Sequence, residues 1–464
     1  MNRNDKTKKL GALGINVFAI IIVLLCQSCN NSSVEISLED NDPIIEKLYK
    51  APLGNKLDED KGTVLYCDAS AVLMDAKANS SIYKAMRSQM NQYIETLVSI
   101  NGCKFDTVEC NKSEQKIHDA LDDLMEKDGA NIQMAIENIC SGNRQGMLIT
   151  DFEFVKMYGK KIIKCYDTDP YLTNAFIEWI SKGYQIDFLV EPYNERKDLK
   201  NRFYVFFTDP NSDAPITNTM LSQVKNFMVK SNPQPGQCCL FTLNASDYGI
   251  RANGVNSCHE EIDMEEIDSK LANSKTYSIS SSWKEIREYI MKLDEHEDTI
   301  EEETPIPLID NLSIVQGNNY SITGVRVHAT NISKSYLKAA GEEVNNPDEI
   351  WDISDAFDVK ITKDNKIKVF LKKEIFKDKH LYSKDDGFSG NLIRIEFYVN
   401  DFVTNEYDSS VFEWTSCRPQ TQTKGQTANC VSLSIDNALK DVKVVPKSDK
   451  HKILYTIFLQ TESK

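Results

Sequence analysis

Hydrophobic positions repeat differently in the two main parts of the chain. Between residues 61 and 293, short apolar runs alternate with segments whose apolar residues recur at helical spacing. The predicted strands are 63–67, 104–110, 146–150, 184–190, 203–208 and 238–243, and the predicted helices are 81–99, 113–126, 131–140, 171–182, 215–230 and 283–293. Strands that are apolar on both faces and alternate with helices are typical of an α/β fold with a doubly wound, mostly parallel sheet.

Beyond residue 308 the hydrophobic period becomes two. Apolar and polar residues alternate in the runs 320–327, 366–371, 392–399 and 453–459, and Gly, Asn and Asp residues separate these runs. Alternation of this kind indicates strands with one buried face. We therefore expect residues 308–464 to form an all-β sandwich of about seven strands.

The amino-terminal segment has the pattern of an export signal. Four basic residues among the first nine precede an apolar stretch from Ile15 to Leu25, which is too short for a retained membrane helix. Cys29 directly follows the small residue Ser28, as in the cleavage box of bacterial lipoproteins. We expect residues 1–28 to be a lipoprotein signal peptide and Cys29 to carry the lipid, with an ordinary signal peptide cut nearby as the alternative. The predicted location is the bacterial cell envelope, with lipid anchoring to the outer membrane or the cell surface.

The net charge of the chain limits the classes of partner that it can bind. Local runs of acidic residues indicate two connecting segments. The chain has a formal net charge of −16, and removal of residues 1–28 takes away four basic groups and one acidic group, which leaves −19. Nucleic acid and anionic lipid surfaces are excluded as partners because their phosphates would be repelled. Residues 29–58 are predicted to be an acidic stalk, residues 59–293 the α/β domain and residues 294–307 an acidic linker.

The cysteine content fits an exported protein. The sequence contains twelve cysteines, of which ten remain after Cys26 and Cys29 are set aside. Export permits disulfides, but their connectivity does not follow from sequence. Cys417 and Cys430 flank a polar stretch between strand-like runs, which makes them a candidate disulfide that closes a hairpin loop.

Three short motifs follow one another in the first third of the chain. An apolar run ends at Asp68-Ala69-Ser70, a helical segment begins at Gly129-Ala130-Asn131, and a second apolar run ends at Asp151. In this order they resemble the von Willebrand factor A (VWA) domain over residues 61–245. In that family an Asp-x-Ser-x-Ser loop, a Gly-x-Thr-Asn helix start and a Leu-Thr-Asp-Gly strand end hold one divalent metal. Another doubly wound fold with a carboxylate-lined edge is the alternative.

The resemblance implies a weak site for Mg²⁺ or Ca²⁺ at Asp68, Ser70 and Asp151. Val72 stands in place of the second serine and Ala130 in place of the threonine, so two hydroxyl ligands are missing. Phe152 replaces the glycine after the last aspartate. Two interpretations stay open. Either additional waters complete a weak cation site, or no cofactor binds and the motif is vestigial, with its carboxylates capping helices or turns.

The resemblance also implies a function. VWA domains outside cells typically bind proteins or matrix, so we expect a non-catalytic binding or adhesion protein. The alternative is a metal-assisted hydrolase that uses carboxylates at the carboxyl edge of the sheet. The residues considered for that edge are Asp68, Ser70, Asp151, Asp167, Asp169 and Asp209. The sequence contains no Gly-x-Ser-x-Gly elbow, phosphate-binding loop or His-Glu-x-x-His motif, which favours binding over catalysis.

Overall fold

The structure is a computed structural model of the protein. It describes residues 34–35, 43–48, 57, 62–68, 80–90, 93–124, 130–152, 155–158, 161–164, 170–195, 198–210, 239–252, 260–263, 276–280, 286–293, 306–371, 388–389, 391–408, 430–446 and 453–463. The predicted signal peptide, Cys29, Ser70 and Cys417 lie outside these residues, and so do predicted helix 215–230, Asp167 and Asp169.

The described strands and helices are numbered in chain order. The strands are β1 (Val34–Glu35), β2 (Thr63–Asp68), β3 (Ile94–Asn101), β4 (Lys104–Glu109), β5 (Gly146–Thr150), β6 (Val155–Tyr158), β7 (Lys161–Lys164), β8 (Gln185–Glu195), β9 (Asp198–Thr208), β10 (Cys239–Leu243), β11 (Gly249–Ala252), β12 (Glu260–Asp263), β13 (Thr276–Ser280), β14 (Ile286–Leu293), β15 (Ile306–Val315), β16 (Tyr320–Asn331), β17 (Trp351–Asp352), β18 (Phe357–Ile361), β19 (Lys366–Leu371), β20 (Phe388–Ser389), β21 (Asn391–Thr404) and β22 (Tyr455–Ser463). The helices are α1 (Pro43–Leu48), α2 (Ser81–Met90), α3 (Glu114–Asp122), α4 (Ile132–Ser141), α5 (Thr173–Ile180), α6 (Ser333–Ala340) and α7 (Cys430–Lys440).

The first sheet has seven strands in the order β10-β8-β9-β5-β2-β3-β4. Strand β2 pairs in parallel with β3 and β5, whereas the other neighbouring pairs are antiparallel. The prediction of a mostly parallel sheet is therefore wrong, and the sheet is mixed. Short connections explain two of the four antiparallel pairs: β3 and β4, like β8 and β9, are joined by two residues, and a connection that short only joins antiparallel strands.

Helices cover both faces of this sheet. Val64 and Tyr66 pack with α4 and α5 on one face. Leu65 and Cys67 pack with α2 and α3 on the other. Because side chains alternate along a strand, the uninterrupted apolar run of β2 supplies two cores at once. The α/β prediction for this part of the chain is confirmed.

Two predicted helices contain strands. The helix predicted at 81–99 ends at Met90, and Ile94–Asn101 forms β3 between β2 and β4. The segment predicted as helix 283–293 contains β14, which pairs with β13 and β22. Pairing with strands distant in sequence overrides local helical spacing in both segments.

The carboxyl-terminal part forms separate, largely antiparallel sheets. One has four strands in the order β11-β15-β19-β18. The other has seven, in the order β12-β13-β14-β22-β21-β16-β17, with β14–β22 as its parallel pair. Both sheets combine strands from the two sides of the predicted linker 294–307, since β11 pairs with β15 and β14 with β22. Two further pairs, β1–β20 and β6–β7, form small sheets.

Helix α7 connects the carboxyl-terminal part to the first sheet. It packs against α5, and the backbone N–H of Leu172 donates to Ser434 Oγ over 3.2 Å. Cys430 is buried at the start of α7, so a helix follows the polar stretch where a strand was predicted. The bridge from Cys417 to Cys430 stays a prediction because Cys417 is outside the described residues.

None of the described helices has both the length and the apolar character needed to cross a membrane.

Candidate functional site

The carboxyl ends of β2 and β5 bring two of the predicted site residues together. The strands are parallel neighbours, with Cys67 opposite Ile149. Asp68 is the last residue of β2 and Asp151 directly follows β5, so both lie at the same edge of the sheet. Each of these aspartates is only 1% exposed. The structure thus places both carboxylates as predicted, but inside the protein rather than at its surface.

Neighbouring hydroxyl groups bind these carboxylates. Thr150 Oγ1 donates a hydrogen bond of 3.1 Å to Asp68 Oδ2 and accepts one of 2.9 Å from the Phe152 N–H. The Tyr193 hydroxyl donates to Asp151 Oδ2 over 3.5 Å. The two aspartates are therefore integrated into the hydrogen bonding of the strand ends.

Phe152 stands at the position where the VWA motif has glycine, and its backbone conformation is one that glycine favours. Its backbone adopts a φ of 61°, in the left-handed region that a bulky residue rarely occupies. The side chain is fully buried, and its ring contacts Phe203 edge-to-face with 4.8 Å between centroids. This packing stabilises a backbone conformation that glycine would adopt without strain.

Strands β8 and β9 add a buried ion pair to the same edge. Because they are antiparallel, Glu191 lies directly opposite Arg202 in the ladder. Arg202 Nη1 is 2.7 Å from Glu191 Oε1, and the residue is 1% exposed. The guanidinium also lies 4.8 Å from the centroid of the Tyr193 ring. A buried charge of this kind is tolerated because it is paired and hydrogen-bonded.

Further hydroxyl groups complete the surroundings of Glu191. Tyr204 donates to Glu191 Oε1 over 2.7 Å, and Ser80 Oγ lies 2.7 Å and 2.8 Å from the two carboxylate oxygens. Ser80 also accepts the Tyr83 N–H over 2.9 Å at the start of α2. The Glu191 carboxylate therefore joins the start of helix α2 to strands β8 and β9, and its role is structural.

We call Asp68, Asp151, Glu191, Tyr193 and Arg202 the edge cluster. Burial opposes the charge of Arg202, but nearby Tyr204 and Glu191 hold the pKa of the guanidinium above its usual value. Burial also raises the pKa of Tyr204 well above its usual value, and Glu191 adds to this effect. The edge cluster therefore contains a permanent positive charge at physiological pH.

The sequence analysis missed Glu191 and Arg202. Each adjoins an apolar run: Glu191 directly follows predicted strand 184–190 and Arg202 directly precedes predicted strand 203–208. Oppositely charged residues at the facing ends of two successive strands are a signal that could have suggested a buried pair.

Ala130 and Asn131 also lie at the carboxyl edge of the sheet, next to the end of β3, whereas Asp209 does not. Ala130 is buried, supplies no side-chain oxygen and pairs with Gly102 after β3, the strand on the opposite side of β2 from β5. Asn131 caps α4 by accepting the Met134 N–H over 3.1 Å. Asp209 follows β9, which runs antiparallel to β5, so it lies at the opposite end of the sheet. The expectation that Asp209 shares the carboxyl edge is wrong for that reason.

The donor set at this edge fits a divalent metal poorly. Among the described residues, no three His, Cys, Asp or Glu side chains are grouped so that they could hold a metal ion. The edge cluster combines three buried carboxylates with one guanidinium, whose charge is paired with Glu191. Asp68 and Asp151 accept hydrogen bonds from Thr150 and Tyr193 in place of a cation.

Comparisons with known proteins find no match for this chain, whether among family models, curated proteins or solved structures.

Proposed function

We propose that this chain is a lipid-anchored protein of the bacterial cell envelope that binds another protein or a matrix ligand without catalysis. In this proposal the α/β part is a VWA-like binding domain. The carboxyl-terminal sheets form a sandwich that serves as a spacer or a second binding unit. Cys29 after an apolar signal supports the anchor, and the order of the three motifs supports the VWA-like domain.

One observation carries the non-catalytic part of the proposal. Asp68 and Asp151, the carboxylates that a metal-assisted hydrolase would use, are each 1% exposed and accept hydrogen bonds from Thr150 and Tyr193. A hydrolytic site needs a metal or a base that a water molecule and a substrate reach together. Buried carboxylates with internal donors support a structural role in a binding scaffold.

The proposal also favours binding without metal. Arg202 supplies a fixed positive charge at the edge where the VWA resemblance implies a cation. That charge is paired with Glu191, whereas Asp68 and Asp151 accept hydrogen bonds from the internal donors Thr150 and Tyr193. These bonds occupy carboxylate oxygens that Mg²⁺ would need as ligands. Partner recognition would then take place on other surfaces of the domain.

The first test is a titration of Mg²⁺ and Ca²⁺ into the full-length protein by calorimetry, with Asp68→Ala as the comparison. We expect no saturable heat from either protein. Saturable heat that disappears in Asp68→Ala would replace the proposal with metal-dependent adhesion. Metal-dependent hydrolysis of ester, phosphodiester or peptide substrates that Asp151→Asn abolishes would replace it with the hydrolase alternative.

The binding and anchoring parts are tested on intact cells. A photo-crosslinking residue at exposed Met134 should capture a partner protein, and the purified partner should bind the chain equally well with and without EDTA. Radiolabelled palmitate should enter the wild-type chain but not Cys29→Ala. Failure to find saturable binding to any captured partner contradicts the binding role, and labelled Cys29→Ala contradicts the anchor.

A further inference from the structure

A cavity of about 620 Å³ opens beside β4, the edge strand of the first sheet. It lies on the face that α4 covers, and its wall includes residues of β2, β3 and β4. We call it the strand-edge cavity. Its volume is within the usual range for small-molecule sites, about 300–1,000 Å³. Its lining is distinct from the edge cluster, with which it shares no residue.

A β-bulge places Glu95 in the cavity wall. Thr63 pairs with Ile94 but the next residue, Val64, pairs with Thr96, which leaves Glu95 as the extra residue of β3. The Glu95 carbonyl accepts the N–H groups of Cys110 and Asn111 at 2.8 Å and 2.9 Å, which fixes the bulge. Bulges re-aim a side chain and are common beside functional sites.

Gly62 leaves the space that Glu95 occupies. A Cβ atom at position 62 would lie 2.5 Å from Glu95 Cβ, which is too close for any side chain. Gly62 also lines the cavity. The glycine and the bulge are therefore two parts of one local arrangement that keeps Glu95 at the wall.

An unusual backbone conformation holds Lys112 at the same cavity. Asn111 and Lys112 both have left-handed backbones, with φ values of 51° and 59°. Asparagine adopts this region readily, but lysine does so at a cost. The Lys112 N–H donates to the Ile94 carbonyl over 3.0 Å, which ties this turn to β3 just before the bulge. Strain of this kind persists where neighbouring structure enforces it, and here it keeps Lys112 in the wall of the cavity.

The lining combines charges of both signs with an aromatic surface. Glu95 and Glu109 come from strands β3 and β4, whereas Lys112 and Arg144 come from turns. Thr96 Oγ1 donates to Glu109 Oε2 over 3.3 Å, which orients that carboxylate. Arg144 follows α4, and its charge acts on the Tyr66 hydroxyl, whose pKa is raised by burial.

The aromatic surface comes from Tyr66 and Phe105. Their rings meet edge-to-face with 5.8 Å between centroids, and both line the cavity. An apolar or aromatic group of a ligand would find its complement there. A purely anionic ligand would meet the two glutamates, and a purely cationic one would meet Lys112 and Arg144.

We propose that the strand-edge cavity binds a small zwitterion with an apolar side chain, that is, a free α-amino acid or a short peptide. Arg144 and Lys112 receive the carboxylate, Glu95 and Glu109 receive the ammonium group, and Tyr66 and Phe105 contact the side chain. This activity goes beyond the protein-binding role and does not depend on it.

The test is calorimetric titration of the full-length protein, in detergent, with two probes: phenylalanine and glycylphenylalanine. Saturable binding of either probe is expected, and the stronger one identifies the source as free amino acid or peptide. N-acetylphenylalanine lacks the ammonium group and phenylalanine amide lacks the carboxylate, so each blocked compound should bind at least about tenfold more weakly. Absence of binding by both probes, or equal binding of the blocked compounds, overturns the proposal.

Single substitutions then test which residues contact the carboxylate and which contact the ammonium group of the ligand. Arg144→Gln should weaken phenylalanine about tenfold and reduce the preference over phenylalanine amide, because only Lys112 then remains to receive the carboxylate. Glu95→Gln should reduce the preference over N-acetylphenylalanine, because only Glu109 then remains to receive the ammonium group. Lys116→Gln, an exposed change on α3 outside this cavity, is the matched control and should bind like wild type. Unchanged preferences in folded Arg144→Gln and Glu95→Gln, with folding checked by circular dichroism, contradict the assignment.

Discussion

The edge cluster and the strand-edge cavity use the same residue types on one sheet in opposite ways. Each has an arginine, a glutamate and a tyrosine. In the edge cluster Arg202 is 1% exposed and lies 2.7 Å from Glu191. In the cavity, Arg144 and Glu95 are half-buried and face open space. A charge buried with its partner cannot leave without a large desolvation cost, whereas a charge in an open cavity can exchange water for a ligand.

The strongest test of this contrast is Arg202→Met. The change leaves Glu191 buried without its counter-ion, so we expect the free energy of unfolding to fall by about 3–5 kcal/mol. Urea denaturation followed by circular dichroism measures the loss. The matched control is Arg144→Met in the cavity, for which we expect a change within about 0.5 kcal/mol.

Removing the charges of both Glu191 and Arg202 tests whether the loss of stability comes from an unpaired buried carboxylate. In the double variant Glu191→Gln with Arg202→Met, the uncompensated carboxylate is gone, so part of the lost stability should return. A loss below about 1 kcal/mol for Arg202→Met alone would mean that the buried pair of Arg202 and Glu191 contributes little to the stability of the fold.

Thr150→Val should have a smaller effect. The substitution removes the hydroxyl that donates to Asp68 and accepts from the Phe152 N–H, so we expect destabilisation by about 1–3 kcal/mol. Thermal unfolding compares it with Thr107→Val, the same change at an exposed position of β4 that lines the cavity. Equal melting temperatures of the two variants would contradict a structural role for the Thr150 hydroxyl.

The smallest effect on stability is expected for Tyr83→Phe, and it is seen at alkaline pH. Burial raises the pKa of Tyr83, on α2 beside the edge cluster, to about 12 from an unfolded value of 10.0. Folding therefore favours the protonated phenol: its contribution to stability is fully present below pH 10 and is lost as the pH rises toward 12. Urea midpoints between these pH values should fall less steeply for Tyr83→Phe than for wild type. If the urea midpoints of both proteins fall equally steeply with pH, Tyr83 is not the cause of the loss of stability at alkaline pH.

Part of the fold and of the candidate site follows from local sequence. Predicted strands 63–67 and 146–150 agree with β2 and β5 because each is a short, uninterrupted apolar run. Since both strands end at an aspartate, the common edge of Asp68 and Asp151 also follows once the strands are parallel. The burial of these carboxylates and the bonds from Thr150 and Tyr193 did not follow, because they depend on neighbouring strands.

Strand β3 shows why local pattern fails. Ile94, Leu97 and Val98 have the spacing of a helix face, whereas Val98 and Ile100 also fit the alternation of a strand. The segment satisfies both periods, and its parallel pairing with β2 decides between them. The bulge at Glu95, and with it the strand-edge cavity, exists only because this segment is a strand.

The sequence by itself determined the α/β character of residues 63–208 and the net negative charge of the chain. It also determined the positions at which a strand ends at an aspartate. The tertiary structure decided strand direction, the opposite placement of Asp209 and the pairing of Arg202 with Glu191. That pair is 11 residues apart, and only the antiparallel register of β8 and β9 places one residue opposite the other. A charged side chain either pairs with another buried charge or stays available to a ligand. Its distance to other charged groups and its access to water decide between these two roles. Long-range strand pairing sets both quantities, and local sequence does not specify that pairing.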